Sequence, residues 1–321
     1  MAARCHPLDW FPGPLDAHAP PEAFPGRRDS TARYAPRMAN RPVLGVALGT
    51  LHPSRHLEVA VEADRLGFES VWLPEHLVFP VEMGGSPFPG AEHPPVPPST
   101  PVFDCFAYLS FLAARTERVR LGSHVYLLGL RHPFVAARAI QTLDVLSGGR
   151  ALAGVGAGWL RSEWQAAGLD PATRGRRLDE SIAVCRKLWT DETISHAGEF
   201  WTFDPVMFEP KPQQSGGPPV LIGGESDAAL RRAARHGDGW LGLEHTTDSI
   251  EPLLRRLDEF RRNAGTAERT FSVTVGAKPE RPADLVHWRE LGVDRLIVSP
   301  WQRSRDAVDG LRRMADWAFG S

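Results

Sequence analysis

The chain has 321 residues, 42% of them hydrophobic and 24% charged, and a formal net charge of −2. That length suits one large globular domain, and the near-neutral charge excludes the basic footprint of a nucleic-acid or anionic-membrane binder. The cysteines Cys5, Cys105 and Cys185 are scattered without a CxxC, and no apolar run approaches the roughly 18 residues of a membrane span, so zinc and disulfide frameworks are set aside and a reducing cytoplasm is the expected setting.

Residues 1–40 are proline-rich and lack apolar periodicity. They read as a disordered extension, or as translation assigned too far upstream with Met38 as the start; the domain then covers 41–321. From Val43 short apolar runs alternate with longer amphipathic ones. Val43–Leu48 reads as a strand, His56–Leu66 as a helix stopped by Gly67, and Ser70–Leu73 as a second strand. Phe103–Ala114 is helical, Val119–Val125 is a strand, and Pro133–Leu146 is a helix with proline in its first turn and Gly148-Gly149 after its end. Ala151–Val155 is a strand, and Trp159–Ala167 and Leu178–Trp189 are helical. The second half repeats the rhythm with strands at Pro219–Ile222, Gly239–Leu243, Phe271–Val275 and Arg295–Val298. Each is succeeded by a helix, over Asp227–Ala234, Ile250–Asn263, Pro282–Leu291 and Arg305–Phe319. Eight strand-then-helix units predict a (β/α)₈ TIM barrel of the α/β class, with an open doubly wound sheet as the alternative.

Two insertions interrupt the rhythm: residues 74–101, and residues 191–217, whose Ile194–Phe203 stretch with Gly198 reads as a β-hairpin. Both are expected on the C-terminal side of the barrel, where active sites of this fold lie.

The strand ends carry the candidate chemistry. Glu75-His76 comes directly after the second strand, where an imidazole suits proton transfer near neutral pH; the bland alternative is a histidine that bridges loops. Gly154-Val155-Gly156-Ala157-Gly158-Trp159 ends the fourth strand and Ile222-Gly223-Gly224-Glu225-Ser226 the fifth, each before a helix. Glycine permits close backbone approach, and the N–H groups at a helix start favour an anion, so the pair suits a phosphate-bearing cofactor tail. Trp159 stands where a dinucleotide fingerprint needs its third glycine. The absence of HExxH leaves His52 and His56 without a zinc motif, and the absence of GxSxG removes the usual hydrolase serine. The cluster of Arg231, Arg232 and Arg235 reads as a solvated helix face, and Trp189, Trp201 and Trp240 as packing residues, with Trp201 also able to line a pocket.

The segments GFESVWLPEHLVFP, TERVRLGSHVYLLGLRHPFVAARAIQTLDVLSGGR, GVGAGWLRSEW and GGESDAALRRAARHGDGW together resemble the luciferase-like monooxygenase superfamily. The likeness runs from about Val43 to Phe319 and is greatest to actinobacterial oxidoreductases expected to use the deazaflavin coenzyme F420. The resemblance implies a tricyclic ring in the barrel mouth, supported by a non-proline cis peptide within Ser123, His124 and Val125. It also implies Glu75 and His76 beside the ring, with His76 as acid/base. Ala157, Gly158, Ser162, Gly223, Gly224 and Ser226 would then lie near the phosphate tail. The resemblance further implies a homodimer. In the family's sugar-phosphate dehydrogenases a Glu proton donor comes after the fourth-strand glycines; here that place is Trp159, which puts a sugar phosphate in doubt. Three functions remain: an F420-dependent oxidoreductase, an FMN-dependent monooxygenase supplied by a flavin reductase, or a non-catalytic flavin-binding barrel.

Overall fold

The structure, a computed structural model, describes residues 40–88 and 96–320. The proline-rich extension and the Met38 start lie outside the described residues, as do residues 89–95 of the first insertion. Eight parallel strands form a closed barrel: β1 (Val43–Ala47), β2 (Ser70–Leu73), β3 (Arg120–Ser123), β4 (Ala151–Val155), β7 (Val220–Gly223), β8 (Gly239–Glu244), β9 (Ser272–Gly276) and β10 (Arg295–Val298). The hairpin strands β5 (Ile194–Ala197) and β6 (Thr202–Val206) stand apart from it. β1 pairs with both β2 and β10, so the barrel sheet has no edge and the open-sheet alternative falls. The helical layer contains α1 (His56–Leu66), α2 (Cys105–Ala113), α3 (Pro133–Leu146), α4 (Arg161–Ala166), α5 (Arg174–Thr190), α6 (Asp227–His236), α7 (Thr247–Asn263), α8 (Pro282–Glu290) and α9 (Ala307–Phe319).

Local signals act as read. Gly67 takes φ +89° and returns its N–H to the carbonyls of Ala63 and Asp64, ending α1. Pro133 opens α3, where the His132 side chain accepts from the Phe134 N–H. One apolar core lies between strands and helices. A second fills the barrel interior with Trp72, Leu152, Leu221, Leu241 and Ile297. The Trp72 indole is its largest member; a Cβ on Gly45 or Gly122 would fall 2.6 and 2.4 Å from that ring, which accounts for both glycines. Towards the strand starts, Arg295 is held by Glu69 through two 2.7 Å hydrogen bonds.

The 191–217 insertion departs from expectation. Its hairpin of β5 and β6 forms as read. However, it leaves from the end of α5, where Lys211 Nζ donates to the Leu188 carbonyl at 3.1 Å. It returns where Gln214 Nε2 donates to Asp144 and to the Ala151 carbonyl at the start of β4. The insertion therefore begins and ends at the N-terminal end of the barrel. The physical reason is chain direction: a helix running back from the mouth delivers the next segment to the opposite end. Trp201 packs on Arg177 of α5 and His132 at the head of α3, outside the barrel wall.

Cys105 and Cys185 are buried and unpaired. Among the described residues no helix is long and apolar enough to cross a membrane, and no group of three or more metal-ligating side chains occurs.

Candidate active site

The C-terminal mouth is organised by how β3 ends. Sequence periodicity extends that strand to Val125, but it stops at Ser123, and the peptide between His124 and Val125 is cis. The chain leaves the sheet at His124 and returns at Tyr126, which bridges to Val155 on β4. The Tyr126 N–H donates to the Gly154 carbonyl (2.7 Å), and the Gly156 N–H to the Tyr126 carbonyl (3.0 Å). Ser123 is fully buried and donates its hydroxyl to the Gly154 carbonyl at 2.8 Å, so its side chain secures the wall rather than facing a ligand.

This excursion explains the fourth- and fifth-strand glycines in part. A Cβ on Gly154 would lie 1.9 Å from the Ser123 carbonyl oxygen. A Cβ on Gly156 would lie 2.6 Å, and one on Gly223 2.5 Å, from the methyl groups of Val125. Val125 is thus a wedge between β4 and β7. Gly156 and Gly223 are glycine to admit it, a packing reason that the expectation of ligand approach at Gly223 did not include.

Beyond that wedge the loops suit an anion. Gly158 has φ +74° and Gly224 φ +114°. The backbone N–H groups of Ala157, Gly158 and Trp159 meet no acceptor among the described residues, nor do those of Glu225 and Ser226. β4 and β7 are neighbours, so the two runs face one stretch of the mouth. Ser162, the second residue of α4, is half-buried with its hydroxyl unbonded among the described residues. Ser226 is instead the N-cap of α6, its Oγ accepting from the Ala229 N–H. The Ala157 carbonyl accepts from Trp164 Nε1 at 3.1 Å, and the Gly224 carbonyl from Trp240 Nε1 at 2.8 Å. Glu225 accepts from the Leu243 N–H at 2.9 Å and bonds the His245 ring at 2.7 Å. Burial pushes its carboxyl up, but those two hydrogen bonds outweigh it and hold the group below the usual carboxylate range.

Glu75 and His76, adjacent in the chain, have different roles. Glu75 is buried; one oxygen accepts from the Leu127 N–H at 2.7 Å and the other pairs with the Arg131 guanidinium, which stacks on the Tyr126 ring. Desolvation raises its pKa despite the Arg131 charge. Both oxygens are engaged in pinning the far side of the β3 excursion, so Glu75 positions the mouth and is not placed to act as a reacting acid. His76 is half-buried, with Nδ1 2.9 Å from Glu163 Oε2. Phe79 lies at 4.4 Å between ring centroids and Trp159 is edge-on at 5.9 Å. The other oxygen of Glu163 accepts from the N–H groups of Leu77 (2.6 Å) and Val78 (3.3 Å). The loops after β2 and β4 therefore meet across the end of β3 through one carboxylate. Glu163 was not singled out in the sequence. Its one sequence signal is its place in the segment GVGAGWLRSEW; its burial beside Trp164 in a six-residue helix comes from the fold.

A model of the luciferase-like monooxygenase family matches residues 35–279. An uncharacterised Mycobacterium tuberculosis protein is 34% identical over 76% of this chain and 86% of its own length. The F420-dependent glucose-6-phosphate dehydrogenase of Amycolatopsis mediterranei is 30% identical over 82% of this chain and 77% of its own. Among solved structures, the monooxygenase RslO1 from Streptomyces bottropensis superimposes with a TM-score of 0.69 over 87% of this chain and 99% of that one, at 20% identity.

Proposed function

We propose that this chain, which belongs to the luciferase-like monooxygenase family, is an F420-dependent oxidoreductase that transfers a hydride between the deazaflavin and a small organic substrate. The observation that carries the reading is the His76–Glu163 pair, which joins the loops after β2 and β4 at the barrel mouth. The relatives named as F420-dependent glucose-6-phosphate dehydrogenases favour F420 over FMN. Trp159, in contact with His76, occupies the place of those enzymes' expected acidic proton donor, which argues for an uncharged substrate instead of a sugar phosphate.

The residues fit such a cofactor. The unpartnered N–H groups of 157–159 and 225–226 and the Ser162 hydroxyl would hold its phosphate-bearing tail, and the His124–Val125 excursion would support its ring. F420, when bound, supplies a carbon centre that accepts or donates hydride. The chain supplies the proton. An ionised Glu163 is an acceptor only, so it holds the hydrogen on His76 Nδ1 and leaves Nε2 as the working atom. In the oxidising direction Nε2 removes a hydroxyl proton as hydride leaves the adjacent carbon, and Glu163 stabilises the imidazolium; in the reducing direction Nε2 returns that proton to a carbonyl oxygen. Phe79 and Trp159 shield this ring from water.

The test is fluorescence titration of the full chain with F420 and FMN side by side. The expected result is tight F420 binding and weak FMN binding. Preference for FMN would move the reading to an oxygen-using monooxygenase with a reductase partner, and binding of neither would overturn both. We also propose a homodimer, supported by the exposed apolar side chains Phe111 of α2 and Val135 and Leu146 of α3. Light scattering at the mass of a monomer would refute that.

A further inference from the structure

The turn between β7 and α6 offers an anion two things of opposite sense. The N–H groups of Glu225 and Ser226 meet no acceptor among the described residues, and Glu225 also carries a carboxylate. The turn is fixed from below: the Gly224 N–H donates to the Leu241 carbonyl at 3.3 Å, and the Gly224 carbonyl accepts from Trp240 Nε1 at 2.8 Å. The carboxylate is fixed as well. Leu241 of β8 pairs with Thr274 and Glu244 with Gly276, so two residues of β8 stand opposite one of β9. At this bulge the Leu243 N–H donates to Glu225 Oε1 at 2.9 Å. His245 Nε2 meets the same oxygen at 2.7 Å, and its Nδ1 is 3.0 Å from the Ser249 hydroxyl in the first turn of α7. An ionised carboxylate only accepts, so the hydrogen of the Nε2 bond is on the ring.

Both donors serve Oε1. Among the described residues no donor meets Oε2, and the side chain keeps 12% of its surface open. The two hydrogen bonds hold the carboxyl ionised and in place, and its charge stays beside the turn. The nearby cations do little against it. Lys278, just past β9, is paired with Glu244 at 2.6 Å, and Arg161 at the start of α4 is exposed, where solvent screens its charge. An anion on the Glu225 N–H is tied to the carboxylate of that same residue by one short side chain. At a separation of about 7 Å and an effective dielectric of about 40 to 80, one further unit of negative charge on that anion weakens its binding by about threefold to tenfold.

We propose that Glu225 determines the specificity of this anion site: it admits a singly charged phosphodiester and disfavours a doubly charged phosphomonoester. The inference rests on the reading of the two turns as the site of a phosphate-bearing tail. The uncharged N–H donors accept either kind of phosphate, and the pinned carboxylate separates them. F420 carries its phosphate as a diester with one charge. FMN carries a monoester, which holds close to two charges above its second pKa of about 6. Glu225 therefore selects between the two cofactors at the tail, without touching the ring. His245 and the β8 bulge act through Glu225, as positioning elements that keep the charge from swinging away.

The experiment is calorimetric titration of the full chain at pH 8 with phenyl phosphate, a dianion at that pH, and with methyl phenyl phosphate, the same group with one charge. The unaltered chain is expected to bind the diester about threefold to tenfold more tightly. Glu225→Gln has the same shape and still accepts from Leu243. It is expected to erase that preference by strengthening phenyl phosphate, with the diester held within about twofold. FMN affinity then rises by the same factor while F420 affinity holds. Should the variant not fold, the two aryl phosphates on the unaltered chain decide alone. Equal affinities, a preference for the monoester, or no binding of either aryl phosphate would overturn the proposal, as would a variant that strengthens both alike. Failure of F420 to bind the unaltered chain, with the aryl phosphate preference intact, would count against the cofactor reading alone.

Discussion

Replacing Gly156 by alanine tests whether Val125 is the wedge that shapes the mouth. Gly156 does not have a positive φ, so the backbone accepts alanine and the effect isolates the steric term. The new Cβ would lie 2.6 Å from Val125 Cγ2, well inside the 3.4–4 Å of ordinary contact. Val125 has little room to retreat, since Tyr126 is bonded to Gly154 and Gly156 on either side. Overpacking against a fixed neighbour costs about 1–3 kcal/mol. Val125→Ala alone loses two methyl groups from a half-buried position, about 1–2 kcal/mol. In the double variant the Val125 Cβ would stand 3.4 Å from the new methyl, an ordinary contact. Its stability should therefore match that of Val125→Ala alone, so that the two substitutions couple by about 1–3 kcal/mol. Urea unfolding of the four proteins measures the cycle. Additivity within about 0.5 kcal/mol would refute the wedge. Gly223→Ala, with its Cβ 2.5 Å from Val125 Cγ1, should behave in the same way and serves as an independent repeat.

Glu75→Gln leaves the Arg131 guanidinium without its buried counter-charge and should destabilise the chain by about 3–5 kcal/mol in urea. His76→Asn, at a half-buried position, should shift stability by less than about 1 kcal/mol and lower kcat about 10²–10⁴-fold with F420 affinity unchanged; the reverse pattern would exchange the two roles. His124, lowered by burial from 6.5 to about 4 in the folded chain, binds its proton more readily when unfolded between those pH values. Its contribution is therefore present above pH 6.5 and lost as pH falls towards 4, about 3 kcal/mol in all, and unfolding free energies at pH 7, 5.5 and 4 should show that slope flattened in His124→Phe. Glu62, held near 2 by the Arg65 hydrogen bond with help from Arg312, contributes above pH 4.5 and loses that contribution as pH falls towards 2. Both arginines are more than half exposed, so solvent screening limits the effect to about 1 kcal/mol, read as the difference from Glu62→Gln across that range.

The barrel was legible because its signals are local. Alternation of short apolar runs with amphipathic ones, Gly67 ending α1 and Pro133 opening α3 each depend on a few neighbouring residues. α5 begins at Arg174 and not Leu178, since Arg174-Gly175-Arg176-Arg177 carries no apolar period to reveal a helix. The strand-end placement of His76 and of the two glycine turns was equally readable, because each comes directly after an apolar run. Three features were not. The break of β3 after Ser123 is invisible to periodicity, since His124, Val125 and Tyr126 continue a plausible strand pattern, and only the family resemblance implied the cis peptide that the structure has at His124–Val125. Glu163 lies 87 residues from His76, and only closure of the barrel brings the loops after β2 and β4 over the end of β3. Glu75 and His76 are adjacent in the chain, yet one faces Leu127 and Arg131 and the other Glu163. Periodicity records which face of an element is buried. The partner that a buried polar group meets there depends on which distant strand end the closed sheet sets beside it.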